Sequence, residues 1–209
     1  MEYRQRVALE KRRAYRDCTY WGRPVPGFGD ATARLLVIGL APAAHGGNRT
    51  GRVFTGDRSG DYLYRALFQT GFASQAESVS ADDGMRLTDV FISAAVRCAP
   101  PDNKPTPEEL GTCLPYLAAE IGLLTKLKVV VVLGKYAFDA YLSILKSEGR
   151  IVRRSAFTFG HDVQQNLGPT LPLLVSSYHP SQQNTSTGKL TEGMLRSVFE
   201  RAKRLIDLL

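Results

Sequence analysis

The sequence predicts an α/β fold: three layers, α/β/α, around a central four-stranded parallel sheet. Two observations point there. Four short apolar runs alternate with helical patterns along the chain, as in a sheet covered by helices on both faces. One of the runs, Val129-Val130-Val131-Val132-Leu133, is β-branched and apolar without interruption, as expected of a central parallel strand buried on both sides.

Taken in order, the chain opens with a charged segment, about residues 4–16, that reads as a helix rich in Arg and Glu. Residues 20–30 hold two prolines, three glycines and the aromatics Tyr20, Trp21 and Phe28, which makes an irregular segment that packs down on the protein. The strand candidates are residues 34–39, 87–96, 128–133 and 171–177. Between them, residues 59–70 place Tyr62, Leu63, Ala66 and Leu67 on one side, with Gly71 as a C-cap. Residues 106–124 open on Thr106-Pro107-Glu108-Glu109, a cap residue followed by proline at the first helical position. Residues 135–148 lie between Gly134 and Gly149, and residues 191–209 space Leu195, Phe199, Ala202, Ile206 and Leu209 along one helical face. Residues 73–83 and 150–169 read as surface excursions. Residues 1–209 read as one domain, with residues 1–30 as an N-terminal helix and Pro/Gly-rich segment packed on it.

The length of 209 residues is enough for one substantial core, and the 44% hydrophobic and 22% charged fractions are ordinary for a soluble protein. No apolar run approaches the roughly 18 residues of a membrane span, and the first residues lack the apolar centre of a secretory signal. The expectation is a cytoplasmic protein with no membrane partner. The net charge of +7 suits a polyanionic partner. Three cysteines, Cys18, Cys98 and Cys113, with no CxxC pair, argue against a disulfide scaffold.

Right-handed crossovers bring the loops after the parallel strands to one edge of the sheet, which collects residues 39–57, 97–105, 134–135 and 178–189. The first of these is Gly39-Leu40-Ala41-Pro42-Ala43-Ala44-His45-Gly46-Gly47-Asn48-Arg49-Thr50-Gly51-Arg52-Val53-Phe54-Thr55-Gly56-Asp57. Small residues leave backbone N–H groups uncovered, so such a loop can approach an anion or a flat ring closely. The second informative segment is Ser177-Tyr178-His179-Pro180-Ser181, where the following proline restricts the backbone beside a histidine at a strand end.

Residues 39–57 together with His179-Pro180-Ser181 resemble motifs one and two of the uracil-DNA glycosylase superfamily. The resemblance is nearest to family five, the broad-specificity type B enzymes. Residues 20–30 and the segment Ala94-Ala95-Val96-Arg97-Cys98-Ala99-Pro100-Pro101-Asp102-Asn103-Lys104-Pro105-Thr106-Pro107 resemble that family as well, and the likeness runs from about Glu2 to the last helix. It implies the three-layer fold. It also implies hydrolysis of an N-glycosidic bond in single- or double-stranded DNA carrying damaged bases, by a cytoplasmic monomer that joins the nucleoid during repair. A free base is released and an abasic site remains.

The resemblance assigns roles residue by residue. An extruded base needs a flat wall, and Phe54 is the candidate; core packing is its plainer use. His179 is the candidate donor to the departing base, against a structural role at the strand end. The best-known family members carry an Asp where this chain has Ala41, and a thermophilic group carries a Glu where it has Leu40. Asp57 is then the candidate carboxylate, orienting water or stabilising the sugar cation, against a simple N-cap. The Asn that reads uracil elsewhere corresponds to Ala94, and Asn103 is its substitute, against an Asx turn. Loss of that strict Asn is expected to widen the substrate range to hypoxanthine. Gly39, Ala41, Pro42, Ala43, His45 and Phe54 are expected around the base. Arg49, Arg52, Arg58, Lys104, Ser181 and Lys189 are expected on the DNA.

The family holds a 4Fe-4S cluster on four cysteines. Cys98 and Cys113 match the later pair, the earlier pair has no counterpart in this sequence, and Cys18 matches neither. A missing N-terminal piece, an altered site using Cys18, and an absent cluster all stay open. Two functional rivals stay open too: a phosphate-binding nucleotide enzyme, though no G-x-x-x-x-G-K-[ST] signature is present, and a non-catalytic DNA-binding member of the same fold.

Overall fold

The computed structural model describes residues 2–209. Along the chain the elements are α1 (Glu2–Glu10), β1 (Phe28–Gly29), β2 (Leu35–Gly39), α2 (Gly47–Thr50), α3 (Arg58–Gln69), β3 (Val90–Ala94), α4 (Pro107–Leu123), β4 (Val129–Leu133), α5 (Lys135–Ser147), β5 (Val163–Gln165), β6 (Leu173–Ser177), α6 (Gln182–Ser186) and α7 (Glu192–Leu208).

The sheet has the order β1-β3-β2-β4-β6-β5. Its inner four strands, β3, β2, β4 and β6, are parallel and nearly flush, with Leu35 opposite both Val90 and Val129, and Val129 opposite Leu173. The expected four-stranded parallel sheet is thus the centre of a six-stranded one. The two-residue β1 and the three-residue β5 add antiparallel edges. Strands this short show no periodicity in the sequence. They come from the Pro/Gly-rich segment and from residues 150–169, which cover the sheet edges that would otherwise stand open.

Every residue of β2 and β4 is buried. Side chains alternate across the strands, so each face has its own core. Leu35, Val37 and Val131 meet α3 and α7 through Leu63, Leu67, Leu195 and Phe199. Leu36, Ile38, Val130 and Val132 meet α4 and α5 through Leu117, Phe138 and Tyr141. These are the expected three layers.

Helix boundaries follow local chemistry. The Thr106 side chain accepts from the Glu109 N–H while Glu109 returns a bond to the Thr106 N–H, a reciprocal cap that starts α4. Thr191 caps α7 by accepting from the Met194 N–H. The first helix is shorter than expected. Lys11 takes a left-handed backbone (φ 51) and ends α1 at Glu10, with only a short 3-10 turn at Arg13–Tyr15 beyond it. Among the described residues, no helix is long and apolar enough to cross a membrane.

Candidate active site

The loops after β2, β3 and β6, with the first turn of α5, meet at the carboxyl edge of the sheet around a cavity of about 490 Å³. Ala41, Ala43, Phe54, Asp57, Asn103 and His179 line it, joined by Arg58, Lys104 and Ser181. The two loops singled out in the sequence therefore do face each other.

Phe54 serves both of its readings. It packs on the core beneath the sheet edge and also forms a wall of the cavity. Its backbone is left-handed (φ 52), rare for an aromatic residue. Two glycines make its position available. A Cβ on Gly39 would come within 2.6 Å of the Phe54 ring, and a Cβ on Gly60 would lie 1.8 Å from its carbonyl oxygen. Gly39 is thus the seat of the wall rather than a contact for a ligand. The Phe54 and His179 rings lie 5.9 Å apart with their planes at 30°.

Burial pushes the His179 imidazole down to about 4, so it is neutral at physiological pH. The backbone around it is fixed: its carbonyl accepts from Asn184 Nδ2 at 2.8 Å, and its Cβ packs over Gly134, which adopts φ 95. Among the described residues, no group hydrogen-bonds the ring itself, which leaves both nitrogens for a ligand.

Asp57 likewise holds two roles. One carboxylate oxygen accepts the Gly60 N–H at 3.0 Å and caps α3. The other lies against Gly46, where a Cβ would approach it to 2.1 Å. Burial raises its pKa above the usual aspartate value, with the Arg49 charge nearby pulling weakly the other way. A carboxylate so placed is a base that is reluctant to ionise.

Asp102 and Asn103 are consecutive left-handed residues (φ 52 and 55) in a short 3-10 turn closed by backbone bonds to Pro100 and Pro101, and among the described residues no side-chain hydrogen bond of Asn103 makes the expected Asx turn. The turn delivers Asn103 to the cavity. His45 lies on the wall of an adjoining cleft of about 520 Å³, which shares Asp57 and Asn103 with the cavity. Its Nδ1 is hydrogen-bonded to the Tyr20 hydroxyl at 2.8 Å. Pro42 packs against Gly47 behind the loop and lines neither space. Gly46 and Asn48 both direct their N–H groups to the Ala43 carbonyl, so this part of the loop is not an open cradle for phosphate.

Two expected DNA contacts, Arg52 and Arg49, are placed otherwise. Arg52 is 4% exposed and paired with Asp83 at 2.6 Å, a buried structural cation that no phosphate reaches. Arg49 donates to the carbonyls of His45 and Gly56 and stacks 4.2 Å over the Tyr15 ring, so it is turned inward. Lys189 is exposed and sits 4.9 Å over the Tyr178 ring, at a neighbouring cavity of about 240 Å³ that shares Tyr136 and His179 with the first. Long cationic side chains follow the nearest carbonyl, carboxylate or ring, and sequence spacing does not reveal which of these is nearest.

Cys98 and Cys113 are half-buried free thiols, with Arg4 among the charges that Cys98 feels. Burial pushes the Cys98 thiol up. An iron–sulfur cluster takes four protein ligands. Among the described residues, no group of three or more His, Cys, Asp or Glu comes together. Two thiols do not fit a four-ligand cluster, and no step below passes through one.

The sequence missed Tyr136, Gln182 and Gln183, which also line the cavity. Tyr136 carried a usable signal, since it follows Gly134-Lys135 at the end of β4. The two glutamines follow His179 closely, on α6.

A family model described as the Uracil DNA glycosylase superfamily matches residues 26–203. A type-5 uracil-DNA glycosylase of Mycobacterium tuberculosis is 50% identical over 209 residues, covering 100% of this chain and 76% of that protein. One from Thermus thermophilus is 50% identical over 198 residues, covering 95% and 87%. Among solved structures, a Methanosarcina acetivorans protein determined by solution NMR has the same fold, with a TM-score of 0.50, 14% identity and coverage of 87% of this chain and 98% of that one.

Proposed function

The chain belongs to the uracil DNA glycosylase superfamily, and on that premise we propose that its cleft excises uracil, and also hypoxanthine, from DNA by hydrolysis of the N-glycosidic bond. The observation that carries this reading is the convergence of Phe54, Asp57, Asn103 and His179, from the loops after three separate strands, on one cavity of about 490 Å³. A paired base cannot reach such a cavity, so the nucleotide must leave the stack. Phe54 then offers a flat face to the ring, and the Asn103 amide offers a donor and an acceptor to its edge.

As the bond breaks, its electron pair goes to the base and positive charge grows on the sugar. His179, neutral and unpaired, donates a hydrogen bond to the base oxygen where negative charge collects. Ionised Asp57 faces the sugar side. It stabilises the cation and orients water, whose oxygen joins the anomeric carbon while its proton passes to the Asp57 carboxylate and from there, through solvent, to the released base anion. Arg58, Lys104 and Ser181 line the same cavity and are the groups we assign to the flanking phosphates.

A single-turnover assay on labelled duplex containing uracil, developed with alkali to cut at abasic sites, tests the reaction. Cleavage confined to the uracil position is expected; an intact strand would refute it. The same assay on inosine-containing duplex is expected to give slower but complete excision, because the strict uracil-reading Asn is replaced by Ala94 and the cavity is roomy. Uracil released with inosine left untouched would remove the wider range.

The pH profile tests the roles. On acidification Asp57 takes up its proton above the usual aspartate range, whereas His179 stays neutral to about pH 4. The single-turnover rate is therefore expected to fall on the acid side through the Asp57 titration, and that limb should vanish in Asp57→Asn. An acid limb that persists in the variant would dismiss Asp57 as its source.

A further inference from the structure

The residue 74–86 loop lines neither the cavity nor the adjoining cleft, yet it is among the most densely hydrogen-bonded polar assemblies of the protein. It closes on itself at a neck: Ala73 bridges Leu87, the Ser74 N–H donates to the Arg86 carbonyl, and the Arg86 N–H donates to Ser74 Oγ. The sequence makes part of this segment a surface excursion. In the fold two of its side chains turn inward, with Ser78 1% exposed and the Asp83 side chain 7% exposed. The Asp83 carboxylate gathers the N–H groups of Val79, Ser80 and Met85 and the Arg52 guanidinium, which hold it down at about 2. It is ionised throughout the working range.

Outside their own loop, all that Ser78 and Asp83 grip belongs to the residues flanking Phe54. Arg52 donates to Asp83 at 2.6 Å, to Ser78 Oγ at 2.7 Å and to Thr55 Oγ1 at 2.9 Å. Thr55 and Ser78 share a hydroxyl–hydroxyl bond of 2.7 Å, and the Gly56 N–H donates to the Ser78 carbonyl. From the core side the Tyr64 hydroxyl donates to the Val53 carbonyl at 3.0 Å. Val53, Thr55 and Gly56 are thus pinned, and the residue between them is forced into its left-handed conformation. A bulky residue stays there only when its surroundings over-determine it.

We propose that Arg52 and Asp83 are positioning residues for base excision: through Thr55 and Ser78 they hold the Phe54 ring as the stacking wall of the cleft. The inference rests on the function proposed above. A displacement of about 1 Å in a group that positions substrate can cost roughly 100-fold in rate, and the Asp83 clamp removes that freedom from a wall it never touches.

The test is a double-mutant cycle between Asp83→Asn and Phe54→Ala, read as single-turnover rate and amplitude on uracil duplex, with DNA affinity measured on abasic product. In the wild-type background Asp83→Asn is expected to lower the rate about 10- to 100-fold, with full amplitude and DNA affinity held within about threefold. With the wall already removed in Phe54→Ala, the same substitution is expected to change the rate by less than about threefold. Losses that multiply in the double variant would overturn the inference, as would a loss confined to amplitude, which reports misfolded protein. If Asp83→Asn does not fold, Ser78→Ala, which leaves the ion pair in place, replaces it in the cycle, and the same outcomes support or overturn the clamp. The unmodified protein runs alongside. Its failure to release uracil would defeat the proposed function, whereas its success with multiplicative losses would defeat the clamp alone.

Discussion

Replacing His179 with alanine is expected to lower the single-turnover rate of uracil release by about 100- to 1,000-fold, the range found when one preorganised donor to a developing oxyanion is lost. Three features set the size of the effect. The imidazole is half-buried in the cavity wall, so a base seated there shields its hydrogen bond from bulk water. It is neutral down to about pH 4, so it brings no competing positive charge into the ground state. Its backbone is held by Asn184 and seated over Gly134, so it need not reorganise as charge grows on the base. DNA affinity, which comes mainly from phosphate contacts, is expected to change by less than about threefold. Single-turnover kinetics with a separate titration on abasic DNA check both. Equal losses in rate and affinity would make His179 a structural residue.

Gly46→Ala is expected to be as damaging as Asp57→Asn, although Gly46 carries no functional group. Asp57→Asn preserves the side chain's shape and its Gly60 cap, because Asn is an equally good N-cap. It removes only the charge. Loss of a general base or charge stabiliser costs about 100- to 10,000-fold in rate. Folding should not suffer. The native state raises the Asp57 pKa, so ionised Asp57 lowers stability at pH above that value, and the cost fades as pH falls towards the unfolded value. At neutral pH the variant's thermal midpoint is therefore expected to hold or rise. Gly46→Ala keeps the charge and moves it. A methyl group 2.1 Å from the carboxylate oxygen cannot coexist with it, and the side chain or the loop must shift. A fall in rate of about 100-fold is expected from such a misplacement. Gly111→Ala on α4, where a Cβ meets nothing within 4 Å, is the matched control and should leave the rate unchanged. Activity of Gly46→Ala near that of the control would mean that the position of Asp57 is immaterial.

The centre of the fold was legible because burial on both faces leaves a plain mark. β4 is five consecutive buried residues, and no other element would use Val129-Val130-Val131-Val132-Leu133 that way. The edge strands left no such mark, since two or three residues cannot establish a period. Within the site, the aromatic Phe54 and the polar Asp57, Asn103 and His179, all singled out in the sequence, line one cavity. Arg52 was misread for a physical reason. A guanidinium in a loop looks the same in sequence whether it meets a phosphate or a carboxylate, and Asp83, 31 positions away, decided the matter. Asp57 caps α3 and faces the cavity as well, so its two alternatives were never exclusive, whereas Asn103 lines the cavity without making an Asx turn.

The fastening of α1 has a consequence for how the protein opens. Arg4, almost wholly buried, donates to the Gly22 carbonyl, and the buried Asn48 amide on α2 donates to the Arg4 carbonyl. Gly22 and Trp21 in turn donate their N–H groups to the carbonyls of Asn48 and Arg49. The amino-terminal helix, the Pro/Gly-rich segment and the turn that seats Asp57 are stitched into a single cooperative unit. Fraying that starts at the front of the chain would strip amide protection from Asn48 and Thr50 well before the Val129–Leu133 ladder exchanged, so this protein would lose its chemistry while its sheet still stood.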